Sequence, residues 1–219
     1  MNTPFTIAQF FEVFKNYNET VFPAQILLYL VAFITIYLII KPTALSNKII
    51  SGLLAFFWLW MGIVYHLIFF TKINDAAYIF GAIFILQALL FLAYGVFNNK
   101  LSFSFHPDIY GLTGIVLILF ALILYPILGF SLGHVYPLSP TFGLPCPTTI
   151  LTLGILLLGD KKFPLVIFIM PLLWSIIGFT AAFNFGIWED TGLLVAGILT
   201  TILLLIKNRK YGMVEQATK

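Results

Sequence analysis

The side chains best suited to chemistry in this chain gather around one proline-rich stretch, residues 133–149, which reads GHVYPLSPTFGLPCPTT. It holds Cys146, the single cysteine of the sequence, between two prolines. Proline is favoured in the first turn of a helix, where its missing N–H would have no partner. With Pro147 at the first helical position, Cys146 would cap a helix whose free amides favour a thiolate. A thiolate can ligate a soft metal or act as a nucleophile, and the helix end can instead hold an anion. The alternative is a small, packed apolar residue.

Two histidines supply the next candidates. His66 follows Tyr65 in an aromatic run at membrane depth, where an ionisable side chain is costly and is therefore a functional candidate. It could relay protons or ligate a metal, or it could remain neutral and donate one hydrogen bond to a nearby carbonyl. His134 and Tyr136 belong to the proline-rich stretch. A possible transition-metal site would combine Cys146 with His66 and His134, and the sequence predicts no other cofactor.

An adjacent pair of acidic residues, Glu189 and Asp190, precedes the last apolar run. Acidic residues at a helix start complement the helix dipole, so capping is one interpretation. The other is that a carboxylate faces a vestibule shared with His66 and Cys146. Thr148, in the first turn after Cys146, completes the candidate binding residues.

The segments that must position these side chains are very apolar. The chain has 219 residues, of which 61% are hydrophobic and 9% charged, with a mean hydropathy of +1.07. A soluble domain has about a quarter of its residues charged. Apolar runs of about 18 residues or more indicate membrane spans, so we predict an all-α, multi-pass membrane protein. The net charge of +3 lies near span ends and points to orientation in the bilayer rather than to nucleic-acid binding.

Seven apolar runs predict seven transmembrane helices, at roughly 23–40, 49–70, 76–97, 109–133, 144–159, 163–186 and 188–207. Each needs about 17–25 residues to cross ~30 Å of hydrocarbon. The fifth run is about a turn short, so we expect the proline-rich stretch to enter the outer half of the membrane beside it. Irregular backbone at that depth is tolerated only beside protein or a water-filled cavity.

A short amphipathic helix is predicted ahead of the spans, over residues 6–16. Its apolar face comprises Ile7, Phe10, Phe11 and Phe14. Thr6 and Gln9 fit a capping box. This helix should lie in the membrane interface, or alternatively pack on the edge of the bundle. The predicted organisation is an interfacial segment at 1–21, a seven-helix domain at 22–208 and a cytoplasmic tail at 209–219.

The distribution of lysine and arginine predicts the orientation. Lys15 and Lys72 fall on one side of the predicted membrane. The opposite side has nine: Lys41, Lys48, Lys100, Lys161, Lys162, Lys207, Arg209, Lys210 and Lys219. Because cytoplasmic loops carry the excess of basic residues, we expect the N-terminus outside and the C-terminus inside. The candidate residues then lie towards the outer face.

Three motifs resemble a family of prokaryotic integral membrane proteins known only as a domain of unknown function. They are WLWMGIVYHL at 58–67, PTFGLPCPTT at 140–149 and the acidic pair at 189–190. The likeness extends over nearly the whole chain, and PTFGLPCPTT is its most specific element. The resemblance implies a seven-span protein of the plasma (inner) membrane of a prokaryote, and it implies no activity.

The leading functional hypothesis is a small-solute or ion transporter or permease with an outward-facing vestibule. The candidate vestibule residues are His66, Tyr65, His134, Tyr136, Cys146, Thr148, Glu189 and Asp190. The alternatives are a metal-binding membrane sensor or redox protein using Cys146 and His66, a membrane-embedded enzyme, and a structural or accessory subunit. No phosphate-binding glycine loop, kinase signature or nucleophile elbow is present, which disfavours an enzyme. The expected partners are the lipid bilayer and a small solute or ion.

Overall fold

A computed structural model describes residues 4–217, without the side chains of residues 181–182 and 212–217, and this part of the chain is helical with connecting loops. The helices are α1 Ile7–Val21, α2 Ala24–Ile40, α3 Ser46–Lys72, α4 Ala76–Phe97, α5 Ile109–Ser131, α6 Pro145–Leu157, α7 Val166–Phe185 and α8 Thr191–Ala217. A short 3₁₀ turn, Trp188–Asp190, leads into α8. The predicted all-α class is confirmed.

Each predicted span coincides with a helix from α2 to α8, but not every helix could cross a bilayer alone. By length and composition, five helical segments are long and apolar enough: α3, α4, α5, α7 and Trp188–Tyr211. A sixth span results if α1 and α2, which are bent by 84° relative to each other, count as one. The sequence predicted seven spans, and length and composition support five or six. The helices that fall short are α2, with 17 residues, and α6, with 13.

Helix α6 lies at the centre of the bundle, where it packs against α5, α7 and α8. Every residue of α6 is buried except Cys146, which is partly buried. Small residues allow this close packing. A β-carbon added at Gly114 of α5 would lie 2.7 Å from the carbonyl oxygen of Gly154 of α6, and the reverse substitution would meet the Gly114 carbonyl at 2.8 Å. A helix so enclosed fixes the positions of its neighbours.

The two ends of the bundle differ in charge. The lysine end comprises the loops before α3, before α5 and before α7, together with the last turns of α8. Hydrogen bonds join these segments: the Ser104 amide donates to the Leu158 carbonyl (2.9 Å), and the Phe163 amide donates to Asn208 Oδ1 (3.1 Å). Most of the basic residues counted from the sequence belong to segments at this end.

The opposite end, called the proline end, comprises α1, the proline-rich loop at 132–144 and the turn Trp188–Asp190. Lys15 and Lys72 belong to this end, and Lys15 pairs with Glu12 at 3.7 Å. The charge asymmetry seen in the sequence therefore runs from one end of the folded bundle to the other.

At the lysine end, Lys207 caps the C-terminus of α6. Its ammonium group donates to the Leu157 carbonyl (3.0 Å) and lies 4.7 Å from the ring centre of Tyr110. The last carbonyls of a helix have no partner within the helix, and a cation there complements the negative end of the dipole. The contact thus stabilises the central helix at a buried position.

The substitution Lys207→Met keeps an apolar stem but removes this donor. We expect it to lower the free energy of unfolding by about 1.5–3 kcal/mol, the range for a hydrogen bond to a charged group. The measurement is thermal unfolding in detergent. Lys48→Met, at an exposed lysine of the same end, is the matched control and should change stability by less than about 0.5 kcal/mol. Equal effects of the two substitutions would contradict the capping role.

Candidate functional site

A cavity of about 220 Å³ lies at the proline end, between α1, α3, α4, α6, α7 and the turn before α8. Most of its wall is aromatic, including Phe10, Phe14, Tyr65, Phe70, Phe80 and Trp174. Besides Cys146 and Asp190, the polar residues Asn74, Thr180 and Asn184 line it, and Asp190 is the one charged residue among the described residues that line it. An apolar cavity of about 150 Å³ can hold benzene, so this cavity is large enough for a small organic molecule.

Helix α1 closes the cavity on one side. Its first turn carries the predicted capping box, in which the Gln9 amide donates to Thr6 Oγ1 (3.2 Å) and the Thr6 amide donates to Gln9 Oε1 (2.8 Å). Phe10 and Phe14 are buried against the cavity, whereas Ile7 is 51% exposed. Of the two placements expected for this helix, the structure has the one packed on the bundle.

Asp190 ends the turn Trp188–Asp190 and is 4% exposed. The Tyr125 hydroxyl of α5 donates to Asp190 Oδ1 (2.5 Å), and the Cys146 thiol of α6 lies against the same carboxylate. The amides at the start of α8 and its dipole favour a negative charge at this position. No basic side chain in the described part of the chain lies within ion-pair distance of Asp190.

Glu189 has different partners from its neighbour. Its Oε1 lies 2.8 Å from His134 Nδ1, which joins the proline-rich loop to the turn before α8. The His134 ring also packs on Phe11 of α1, with 5.2 Å between ring centres. The second oxygen, Oε2, is buried and accepts no hydrogen bond from the described residues. Glu189 and His134 therefore hold three segments of the proline end together without lining the cavity.

His66 lies directly behind the cavity wall. It is fully buried, and neither ring nitrogen has a hydrogen-bond partner among the described residues. The ring is enclosed by aromatic side chains, with 4.7 Å between ring centres to Phe84 and 5.1 Å to Trp174. It also contacts Tyr65 and Phe80, which line the cavity. Such an enclosure favours the neutral imidazole, since a charge there would be unpaired.

The structure distributes the eight predicted binding residues over three places: the cavity wall (Tyr65, Cys146, Asp190), the hydrogen-bonded pair beside it (His134, Glu189), and positions that do not line the cavity (His66, Tyr136, Thr148). Tyr136 and Thr148 hold the proline-rich loop through hydrogen bonds. Tyr136 donates to the Asn18 carbonyl (3.3 Å), and Thr148 Oγ1 accepts from the Gly143 amide (3.1 Å).

The three residues considered as metal ligands have separate surroundings. Cys146 contacts Asp190, His134 pairs with Glu189, and His66 is enclosed by aromatic rings. Among the side chains that the structure describes, no group of three or more from His, Cys, Asp or Glu is arranged to hold a metal ion. The described donor set does not fit a metal centre.

A family model described as "Family of unknown function (DUF6064)" matches residues 7–215. The chain belongs to this family. The match begins at the first residue of α1 and ends within α8, so it includes the cavity with nearly all of its wall. No curated protein and no solved structure matches the chain. The expected membership in a family of unknown function is confirmed, and DUF6064 assigns no activity.

In this DUF6064 chain, Asn18 has a structural role that sequence reasoning missed. Its Nδ2 donates to the carbonyls of Pro137 (2.6 Å) and Ser139 (2.8 Å). Its Oδ1 accepts from Gln25 Nε2 (2.7 Å) and Thr141 Oγ1 (2.6 Å). An asparagine amide has two donors and two acceptor lone pairs, so every one is used. Asn18 thereby holds the proline-rich loop against α1 and α2.

Tyr125, which donates to Asp190, and the cavity residues Trp174 and Gly178 were also missed as site residues. Gly178 leaves a narrow notch in the wall, where an added β-carbon would lie 2.9 Å from Leu193 Cδ2, 3.3 Å from Trp174 Nε1 and 3.5 Å from Cys146 Sγ. The available signal was weak, because a tyrosine, a tryptophan and a glycine within apolar runs are common in membrane helices.

Asn18→Asp keeps the size of the side chain but cannot donate to the two loop carbonyls. Because it leaves buried acceptors unpaired, we expect a loss of at least about 2 kcal/mol of stability and faster proteolysis within residues 135–142. Thermal unfolding and limited proteolysis in detergent measure the two effects. Asn16→Asp, at an exposed position of the same helix, is the matched control. If Asn18→Asp behaves like the control, Asn18 does not hold the loop.

Proposed function

We propose that this DUF6064 protein is a membrane permease or binding protein for a small solute, and that the solute occupies the cavity at the proline end. The observation that carries this proposal is an apolar, aromatic cavity of about 220 Å³ with one carboxylate in its wall, inside an otherwise apolar bundle. Ligand sites of membrane and soluble proteins share this pattern of apolar walls with a few convergent polar groups.

The short central helix supports this proposal because it creates the space. Since α6 begins only at Pro145, the proline-rich loop replaces the helical turns that would otherwise fill the bundle at this end. Broken helices beside irregular backbone form the solute sites of many transporters. Helix α1, joined to α2 through the 84° bend, covers the cavity and would move aside for a solute to enter.

The packing towards the lysine end favours a carrier over an open channel. Trp58 and Phe84 are fully buried there with ring centres 4.5 Å apart, and Trp58 Nε1 donates to Thr152 Oγ1 (3.1 Å). The described cavity therefore belongs to one end of the bundle. A carrier in one of its two states has its cavity at one end of the bundle. Passage of the solute to the other end would require α6 and its neighbours to shift.

We propose that the proline end lies outside and the lysine end in the cytoplasm of a prokaryote. In this arrangement α2 and α6 also cross the membrane, which gives seven transmembrane helices. The basic residues at the lysine end support it through the positive-inside rule. The cavity then receives solute from outside the cell.

Single-cysteine labelling tests this orientation. In a Cys146→Ser background, Val135→Cys and Ala44→Cys place a thiol at exposed positions of the proline end and the lysine end, respectively. A membrane-impermeant maleimide added to intact cells should modify only Val135→Cys, and both should react after the cells are permeabilised. Labelling of Ala44→Cys alone in intact cells would reverse the proposed orientation.

Solute binding is tested with three benzene-sized compounds of different charge: benzyl alcohol, benzylamine and benzoate. We expect at least one to bind the purified protein in lipid nanodiscs, measured by calorimetry. Gly178→Ala fills the notch beside Cys146 and should weaken that binding about tenfold, or about 1.4 kcal/mol. Gly52→Ala is the control, because its added β-carbon meets only Val96 Cγ2, at 4.0 Å. No binding of any of the three compounds would contradict the proposed function.

A further inference from the structure

The charges around the cavity have one sign. Asp190 lines it, and Glu189 lies beside it in the same turn. No lysine, arginine or histidine belongs to the described lining. His134 is engaged by Glu189, and His66 stands behind the aromatic wall. A bound solute would therefore experience an uncompensated carboxylate at Asp190.

The acidic turn also has unused acceptor capacity. Glu189 is 2% exposed, yet its Oε2 accepts no hydrogen bond within the described residues. A buried carboxylate oxygen without a donor is costly, and such atoms call for an explanation in each protein where they occur. The described side chains around the turn therefore neither neutralise all of its negative charge nor use all of its hydrogen-bond acceptors.

The remaining wall suits a positive charge as well. The faces of aromatic rings attract cations, most strongly within about 6 Å of the ring centre. Tyr65 and Phe70 form a stacked pair with 5.6 Å between ring centres, and Phe10 and Trp174 complete the wall near them. An anion would meet the Asp190 carboxylate and the negative faces of these rings, and a neutral solute would leave Asp190 without a counter-charge.

We infer that the solute is a small organic cation, with a protonated amine or a quaternary ammonium group at Asp190 and an apolar body against the aromatic wall. This inference rests on the proposed function and specifies its substrate class. The cavity volume limits the body to about the size of one substituted benzene ring.

Proton binding competes with this cation for the same carboxylate. The titratable side chains facing Asp190 are Tyr65 from α3, Tyr125 from α5 and Cys146 from α6, with Glu189 from its own turn. The described lining from α1, α4 and α7 has no charged side chain. A positive charge at Asp190 must therefore come from the solute or from a proton. Cation binding to protonated Asp190 breaks its O–H bond and releases that proton to water, so one cation exchanges for one proton.

The test compares benzylamine with its neutral and anionic counterparts, benzyl alcohol and benzoate, on the full chain in nanodiscs. We expect benzylamine to bind at least tenfold more tightly than either. Its affinity should fall as the pH is lowered through the range in which Asp190 takes up a proton, because the amine stays protonated there while the carboxylate becomes neutral. The affinity for benzyl alcohol should stay constant over the same range.

Asp190→Asn should remove the preference for the amine while benzyl alcohol binding remains. If this variant does not fold, the pH titration of the wild-type protein decides, since it needs no substitution. If benzyl alcohol or benzoate binds as tightly as benzylamine, and Gly178→Ala weakens that binding, the cation inference is overturned and the proposed function stands. Failure of all three compounds to bind would overturn both.

Discussion

The structure depends on one constraint: the backbone before α6 is irregular, and its last residues, 140–144, pack into the bundle. Backbone amides and carbonyls that are buried there need hydrogen-bond partners. Asn18 satisfies the carbonyls of Pro137 and Ser139, and Tyr17 donates to the Gly143 carbonyl (3.2 Å). These partners all come from α1, so the helix that covers the cavity is the same helix that makes the irregular loop tolerable.

The fold was predictable where the information is local. Runs of apolar residues placed the helices, since a bilayer requires long uncharged segments. The capping box at Thr6 and Gln9 involves two residues of the same turn, and its hydrogen bonds match the sequence pattern. The short fifth run correctly indicated a helix flanked by irregular backbone. The number of crossings was less predictable, because it depends on bends such as the one between α1 and α2.

The candidate site was less predictable because its contacts join distant parts of the sequence. Asp190 meets Tyr125, 65 positions away, and Asn18 reaches Pro137 across 119 positions. Neither separation leaves a periodic or composition signal. The phenylalanine face of α1 could equally have met lipid, and only the shape of the bundle turns Phe10 towards the cavity. Of the residues predicted from the sequence, Tyr65, Cys146 and Asp190 line the cavity, and most of the wall around them was not predicted.

The two adjacent acids show why a pair serves this site better than one. Two unpaired carboxylates side by side would repel each other, and one of them would take up a proton. His134 shares a hydrogen bond with Glu189, and this contact fixes the turn against the proline-rich loop. Asp190 is then left with a tyrosine, a thiol and the start of α8 as its neighbours, and none of these is a cationic side chain. Glu189 thus holds the turn against the loop, and Asp190 remains available to the positively charged solute that we propose.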